Sequence, residues 1–596
     1  MKRFIISLLA ASAAIAVSAV EQWDTYSDTW VAVDDLGREV YNSDNKSQYP
    51  DSPKGGKSDV GIFYYMWHGM HTEVGRPIFD ITKLLKANPE HPAWGNVGEM
   101  HWWGKPVLGY YKGGDEFVVY RHMQMLCDAG VDFLFFDTTN AVIYESVVEA
   151  VMKEIDRRES LGLRSPKLCF MIHSLARQTA ERIYKRFYTD PKYDKYWYEY
   201  DGKPLLLGDK SEIEGTEVAG LMERFTFRNS WAWMGGAKPD EWAWLEFAPQ
   251  KPGWSNSHGG KSVPEQLSVS VSQHATSKVG KSYHNGKEPQ LNRYALCDST
   301  GYGLYFEEQW KEAHRMHPPV LMVTQFNEWT AQRFLVKDGS DLWTTRPGAQ
   351  QAVGETAFVD AYNAEFNRDI EPSRDPLVKD NYYMQFYSHM NRYRGVREIP
   401  AGCSKKIKIS GNFEQWDGVK NEYRDDKGDI MHQHTLGFNN MDTIVNTTGR
   451  NDLVVSKVAE SRDSYYFYLR AMDALSDIKA PGEWISLLIN SDQDYSTGWS
   501  GYDFIVKKNR EGKLSLYKNV GGKYSWQEIC QVKYKVKGNR LHLEIPKSSL
   551  DAGDGFDFKW TDNVPESEDL DVLDFYVYGD VAPNGRFNYR YKKDER

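Results

Sequence analysis

The chain alternates short, continuously apolar runs with longer stretches whose apolar residues recur at helical spacing. The runs are VGIFYYMW (60–67), VDFLFFD (131–137), KLCFMIH (167–173), KPLLLGD (203–209) and VLMVTQF (320–326). A strand that is apolar on both faces must be covered on both faces, which is the situation of a parallel sheet flanked by helices. Helical patterns fall between the runs at 117–130, 144–161, 175–187, 217–224 and 302–316, the first of them stopped by Gly130. Shorter strand patterns lie at FTFRNSW (225–231), EWAWLEF (241–247) and LSVSVSQ (267–273). Seven or eight strands over about three hundred residues predict an α/β fold of the (β/α)8 TIM-barrel type rather than an open doubly wound sheet. No GxGxxG follows the first run and no P-loop is present, which removes the main support for a dinucleotide or nucleoside triphosphate site.

At 596 residues the chain exceeds what one hydrophobic core can organise. Pro400-Ala401-Gly402 reads as a linker. From Lys405 the pattern changes to period-two alternation, in KIKISGNF, SYYFYLRAMD, EWISLLINSD and DVLDFYVYGD. That is the pattern of an antiparallel β-sandwich. The expected division is therefore a signal peptide over 1–19, a barrel over 20–400 and a sandwich over 401–596. The signal peptide rests on Lys2 and Arg3, the apolar stretch from Phe4 to Val17 and the small residues Val17-Ser18-Ala19. It implies a periplasmic or secreted protein. No cysteine near the cleavage site suggests a lipid anchor, and no later stretch is long enough for a membrane span.

The net charge of −11, without a long basic run, argues against a nucleic-acid partner. The five cysteines are scattered and show no CxxC spacing, so neither a zinc site nor a disulfide framework is expected. Aromatic content is high, with 20 Trp and 37 Tyr. Large cores account for this as well as sugar-stacking surfaces do.

In a barrel, chemistry gathers at the carboxyl ends of the strands. Here those ends carry Tyr65, Trp67 and His68; Asp137 and Asn140; His173; Asp209; Glu246; Gln273 and His274; and Asn327, Glu328 and Trp329. Each has an ordinary alternative, such as a helix cap for Asp137, a core position for His173 or a solvated acid for Glu246. Together they put carboxylates, imidazoles, amides and indoles on one rim.

With these residues in view, VGIFYYMWHG, AGVDFLFFDTTN, GKPLLLGD and above all FNEW resemble the barrel of glycoside hydrolase families 71 and 99. Those families act on α-linked glucans and mannans. The resemblance covers roughly 59–396 and extends to FVDAYNAEFNRDIEP (358–372). The tail is similar to carbohydrate-binding modules of the family 9 or DOMON-like kind, through ISGNFEQWDGV, NTTGRND and LLINSDQDYSTGWSGYDF. One departure stands out. Family 99 places a second Glu three residues after the first, and here that position is Ala331. Roughly forty residues then separate FNEW from RDIEP, so a displaced acid is sought in that insertion, at Glu355 or Glu365, or at another strand end.

Glycosidic cleavage needs two carboxyl groups, one to protonate the leaving oxygen and one to attack or to activate the attacking group. Glu328 is the first candidate. Glu246 ranks first as partner, then Asp137, then Asp209. The subsite candidates are Tyr65, Trp67, His68, Trp102, Trp103, Asn140, His173, Asp209, His274, Asn327, Trp329 and Arg333. The expected function is a secreted glycosidase acting on a polysaccharide or glycan, working as a monomer and without a catalytic cofactor. The alternative is a glycan-binding barrel without catalysis. A metal-dependent hydrolase would use His68, His71 and Glu73, whose spacing does not fit one strand face. In the sandwich, Asp492, Asp494 and Asp503 are candidates for a structural Ca²⁺ site, with an Asp-rich turn as the alternative.

Overall fold

The computed structural model describes residues 20–41, 58–256, 262–274, 278–337 and 353–593. The expected signal peptide and the glycine-containing stretch around Gly339 and Gly348 lie outside them. Seven parallel strands form a strongly curled sheet. They are β1 (Asp59–Tyr64), β2 (Phe133–Thr138), β3 (Lys167–Ile172), β4 (Lys203–Leu207), β5 (Thr226–Arg228), β6 (Val263–Ser270) and β7 (Val320–Thr324). Their spatial order is β6-β7-β1-β2-β3-β4-β5, every pairing parallel.

Interior and exterior of the curl separate by strand alternation. Phe63, Tyr65, Phe133, Phe135, Cys169, Met171, Leu205, Leu207, Val320 and Met322 pack together inside. Their neighbours in sequence, such as Ile62, Leu134, Phe170 and Leu321, join a larger core shared with the helices. These are α1 (Glu116–Asp128), α2 (Glu145–Ser160), α3 (Ala176–Ile183), α4 (Leu304–Met316) and α5 (Asn381–Arg394). Asp115 caps α1 by accepting from the amides of Phe117 and Val118. Gly61 on β1 is required by its neighbour: a Cβ there would lie 2.2 Å from the Phe133 ring, which stacks on Tyr198 at 3.9 Å.

The expected eighth strand, EWAWLEF, is not a strand. Glu241–Glu246 lies between β5 and β6 as an irregular segment, joined by the isolated bridges Asn229↔Glu241 and Ala232↔Leu245. Trp242, Trp244 and Leu245 all bury into the interior. Consecutive residues facing one way cannot keep the alternation of a strand, so the sheet is a curled half-barrel with an irregular wall, not a complete eight-stranded ring. The strand pattern 225–231 contracts to Thr226–Arg228 and the helical pattern 217–224 to the single turn Leu221–Arg224, while LSVSVSQ shifts to the strand Val263–Ser270.

A small sheet adds a second layer beside the carboxyl ends. It runs Thr356–Phe358, Thr330–Leu335, Met100–Trp102, Phe79–Asp80. Farther along, two antiparallel sheets face each other. One contains Leu453–Glu460, Ser464–Ala471 and Arg540–Pro546; the other contains Ser486–Asn490, Phe504–Lys508 and Gly555–Asp562. Phe467 from the first meets Phe556 and Phe558 of the second at 5.6 and 5.7 Å between ring centroids. The amino-terminal segment joins the two parts. Val31 bridges to Asn588, Trp30 packs on Phe587, and Tyr387 of α5 donates to the Ser27 carbonyl. Among the described residues no helix is long and apolar enough to cross a membrane.

Candidate active site

The segment after β7 is fixed by its own polar side chains. Gln325 takes a left-handed backbone, φ 73°, which turns the chain off the strand. Its neighbour Phe326 donates its amide to the Phe63 carbonyl and accepts from the amides of Ile370 and Glu371. Asn327 accepts from the Tyr65 amide at 2.9 Å and donates to the Tyr65 carbonyl at 3.1 Å. Its amide therefore clamps β7 to β1, and the expected sugar-holding role does not describe it. Trp329 is fully buried, stacked on Trp103 at 4.5 Å, and donates to Glu371. It is a wall behind the site, not a sugar platform.

Between these two anchors Glu328 points into a cavity of about 330 Å³. Tyr65, Trp67, His71, Asn140, Ala331 and Asp360 are among its lining residues. Burial pushes the Glu328 carboxyl well above the ordinary range, and the nearby Asp360 charge adds to this; Arg368 opposes both. Arg368 is buried and donates through one nitrogen to two carboxylates, Glu328 Oε2 at 3.2 Å and Asp360 Oδ1 at 2.9 Å. Its guanidinium also lies over the Trp244 ring at 5.3 Å, on top of the barrel interior. The His274 Nε2 lies 3.0 Å from the same Asp360 oxygen. Desolvation raises the Asp360 carboxyl, but the His274 and Arg368 contacts outweigh it and hold the group well below its usual range. Asp360 itself adopts φ 70°, a left-handed conformation that non-glycine residues hold only when their surroundings enforce it.

Asp137, at the end of β2, lies close enough to add charge coupling to Glu328. Burial pushes it up to about 6, against hydrogen bonds donated by the Thr139 amide and hydroxyl. Tyr65 lies with Trp67 at 5.2 Å between ring centroids and donates its hydroxyl to the Thr330 carbonyl. Asn140 donates to the Tyr144 hydroxyl at 2.6 Å, and His71 Nε2 meets the same hydroxyl at 2.7 Å.

Of the expected residues, Tyr65, Trp67, Asp137, Asn140, His274 and Glu328 converge here. Others do not. Glu246, ranked first as partner, turns toward the Gly235 loop, where a Cβ would lie 2.1 Å from its Oε2, and it accepts from the Phe247 amide. Asp209 caps the turn Lys210–Ile213 by accepting from Ser211. The exposed His173 stacks on Trp231 at 3.7 Å. His68 is a core residue between Tyr65, Trp102 and Tyr111, its basicity suppressed by burial. Trp102 and Trp103 are buried. Arg333 holds the hairpin, donating to Thr356 and to the Gly95 carbonyl.

Neither Glu355, exposed, nor Glu365, which binds Ser282, reaches the cavity. The acid that the insertion contributes is Asp360. Asp360 and Arg368 are the residues sequence reasoning passed over. The clue was available: Asp360, Glu365 and RDIEP are interleaved with aromatic residues in FVDAYNAEFNRDIEP, and charges buried among such residues must pair.

The tail tryptophans Trp416, Trp484 and Trp499 are core residues and offer no sugar platform. Trp416 donates to His542, Trp484 to the Ser476 carbonyl, and Trp499 packs on Tyr502. Asp492, Asp494 and Asp503 serve a turn. Asp492 accepts from the Asp494 amide, Asp494 from Ser496, and Asp503 from Ser491.

Fold and site together define a curled parallel α/β sheet with a carboxylate pair in a cavity beyond its strand ends. No family model and no curated protein matches the chain. Among solved structures it is similar to the family 99 endo-α-mannosidase of Bacteroides thetaiotaomicron at 18% identity, covering 57% of this chain and 98% of that one, with a TM-score of 0.33. The same enzyme's complex with bis-tris-propane gives 18%, 56%, 97% and 0.31.

Proposed function

We propose that the chain is a glycoside hydrolase, secreted, acting on α-linked mannan- or glucan-type glycans. One observation carries this reading. Two carboxyl groups meet on a single arginine in one cavity, and their surroundings push their proton affinities in opposite directions. That split is how one site keeps an acid and a base at the same pH. Glu328, pushed toward its neutral form by burial and the Asp360 charge, donates to the leaving glycosidic oxygen. Asp360, ionised, faces the anomeric carbon as positive charge develops there. Arg368 and His274 hold Asp360 in its charged form. Trp67 and Tyr65 offer ring surface to a sugar, and Asn140 a polar edge. The resemblance of FNEW to the family 71 and 99 barrels supports the substrate class.

The test is incubation of the full-length protein with α-mannans, α-glucans and host glycans, followed by reducing-end measurement. Wild type should release reducing ends from at least one substrate, and Asp360→Asn should not. Retention of a glycan on affinity gels with no release anywhere on the panel would replace this reading with a non-catalytic binding barrel.

A further inference from the structure

A second group of acids lies away from the cavity, at the seam between α1 and the tail. Asp425 and Asp429 follow the short strand Glu422–Arg424, and Asp580 opens the strand Asp580–Ala582. One carboxylate oxygen from each comes within 4.8 Å of the others, and all three residues are 1% exposed. Asp452 is near enough to interact with Asp429 and Asp580.

Clustering alone would mean little, but the hydrogen bonding of these carboxylates is incomplete. Both carboxylate oxygens of Asp425 are buried without a partner, as are Oδ1 of Asp429, Asp452 and Asp580. The remaining oxygens are accounted for. Asp429 Oδ2 accepts from Gln124 at 3.1 Å, Asp452 Oδ2 from the Gly428 amide at 2.7 Å, and Asp580 Oδ2 from the Leu453 amide.

Neighbouring cations do not fill the gap. Arg158 pairs with Asp426 and Arg450 with Asp562. Lys559 is near enough to Asp425 to interact with its charge, but its ammonium donates to the Pro583 carbonyl and leaves both Asp425 carboxylate oxygens without a hydrogen bond. Arg121 contributes charge to Asp429 but donates to Gln124. A buried, unpartnered carboxylate is among the most unfavourable groups a fold can contain, and metal coordination is one of the few ways to satisfy it.

We propose that Asp425, Asp429 and Asp580, with Asp452 beside them, bind one calcium ion that fastens the sandwich to α1. The donors are all hard oxygens, with no imidazole or thiolate, which excludes a zinc-type site. A closely packed, buried, anionic cluster suits calcium better than magnesium, which keeps several of its own waters. Gln124 and Tyr120, both on α1, hold Asp429 from the barrel side through its carboxylate and its carbonyl. Trp23 of the amino-terminal segment donates to the Asp425 carbonyl at 2.7 Å. The ion would therefore sit where three parts of the chain meet.

The full-length protein is stripped with chelator, and calcium binding is measured by equilibrium dialysis with elemental analysis, alongside thermal melting. One calcium per chain should bind and raise Tm, with a much smaller response to equal magnesium. Asp425→Asn should weaken binding by at least about tenfold. Asp494→Asn, in the exposed turn, should leave it intact. No calcium bound and an unchanged Tm in wild type would overturn the proposal, and so would binding abolished by Asp494→Asn but not by Asp425→Asn. Should Asp425→Asn fail to fold, the wild-type titration still decides.

Discussion

Glu328→Gln separates chemistry from architecture. Burial and the Asp360 charge both push the Glu328 carboxyl toward its neutral form. Glutamine has the same shape and the same net charge as that neutral acid. Its side-chain oxygen can still accept from Arg368, as Glu328 Oε2 does at 3.2 Å. The change in stability should stay below about 1 kcal/mol, the scale of one neutral hydrogen bond. For a chain of 596 residues that is a Tm shift of no more than about 1 °C. Catalysis should respond differently. General acid catalysis contributes about 10²–10⁴-fold, or roughly 3–5 kcal/mol of transition-state stabilisation, and glutamine has no proton to give. The assay compares kcat on a natural glycan, whose leaving group needs protonation, with kcat on an aryl glycoside bearing a highly acidic phenol, which leaves unaided. The variant should lose about 10²–10⁴-fold on the glycan and much less on the aryl glycoside. Equal losses on both would assign Glu328 a role other than the acid. A kcat within threefold of wild type on the glycan would refute the reasoning outright.

Four further outcomes follow from the structure. The pH profile of kcat/KM should be bell-shaped: activity falls as pH rises through the elevated Glu328 titration, and falls on the acid side as Asp360, held low, takes up a proton; Glu328→Gln should lose the basic limb on activated substrates. Stability should also depend on pH through the buried acids with raised folded-state pKa values, Asp369 and Asp452 at about 8 and Asp137 at about 6. Their contribution is complete below the unfolded values near 4 and is lost as pH rises through the folded ones, so calcium-free protein should melt lower at about pH 8.5 than at about pH 5.5. Trp67→Ala removes half-buried ring surface from the cavity and should raise KM by about tenfold with kcat nearly unchanged, the mark of lost uniform binding. Asn327→Ala leaves the Tyr65 amide and carbonyl without their partners, which should cost about 1–3 kcal/mol, read as a fall in Tm.

The parallel core was legible because strands buried on both faces leave continuous apolar runs, as VDFLFFD and KLCFMIH do. The tail was legible because period-two alternation survives in SYYFYLRAMD. EWAWLEF misled because its composition is that of a strand, while the interior it fills takes Trp244 and Leu245 from the same side. In the site, Glu328 was legible because a carboxylate directly after a buried strand has few innocent explanations. Asp360 was not. It lies within a long insertion, its backbone is left-handed, and its place opposite Glu328 depends on Arg368 reaching both. Partners set by such long-range contacts leave no local periodicity. The same limit explains Asp425, Asp429 and Asp580, which are separated by up to about 150 residues and become neighbours only through the packing of the tail. Asn327 and Trp329 show the converse: motif residues whose chemistry looks catalytic but which clamp a strand and build a wall.

The central claim is that one cavity holds a protonated Glu328 and an ionised Asp360 at the same pH. Infrared difference spectroscopy measures this directly, by subtracting the Glu328→Gln and Asp360→Asn spectra from wild type at neutral pH. The account predicts a protonated carboxyl C=O band lost with Glu328→Gln, and an ionised carboxylate band lost with Asp360→Asn. Ionised bands lost from both variants, or the reverse assignment, would contradict it.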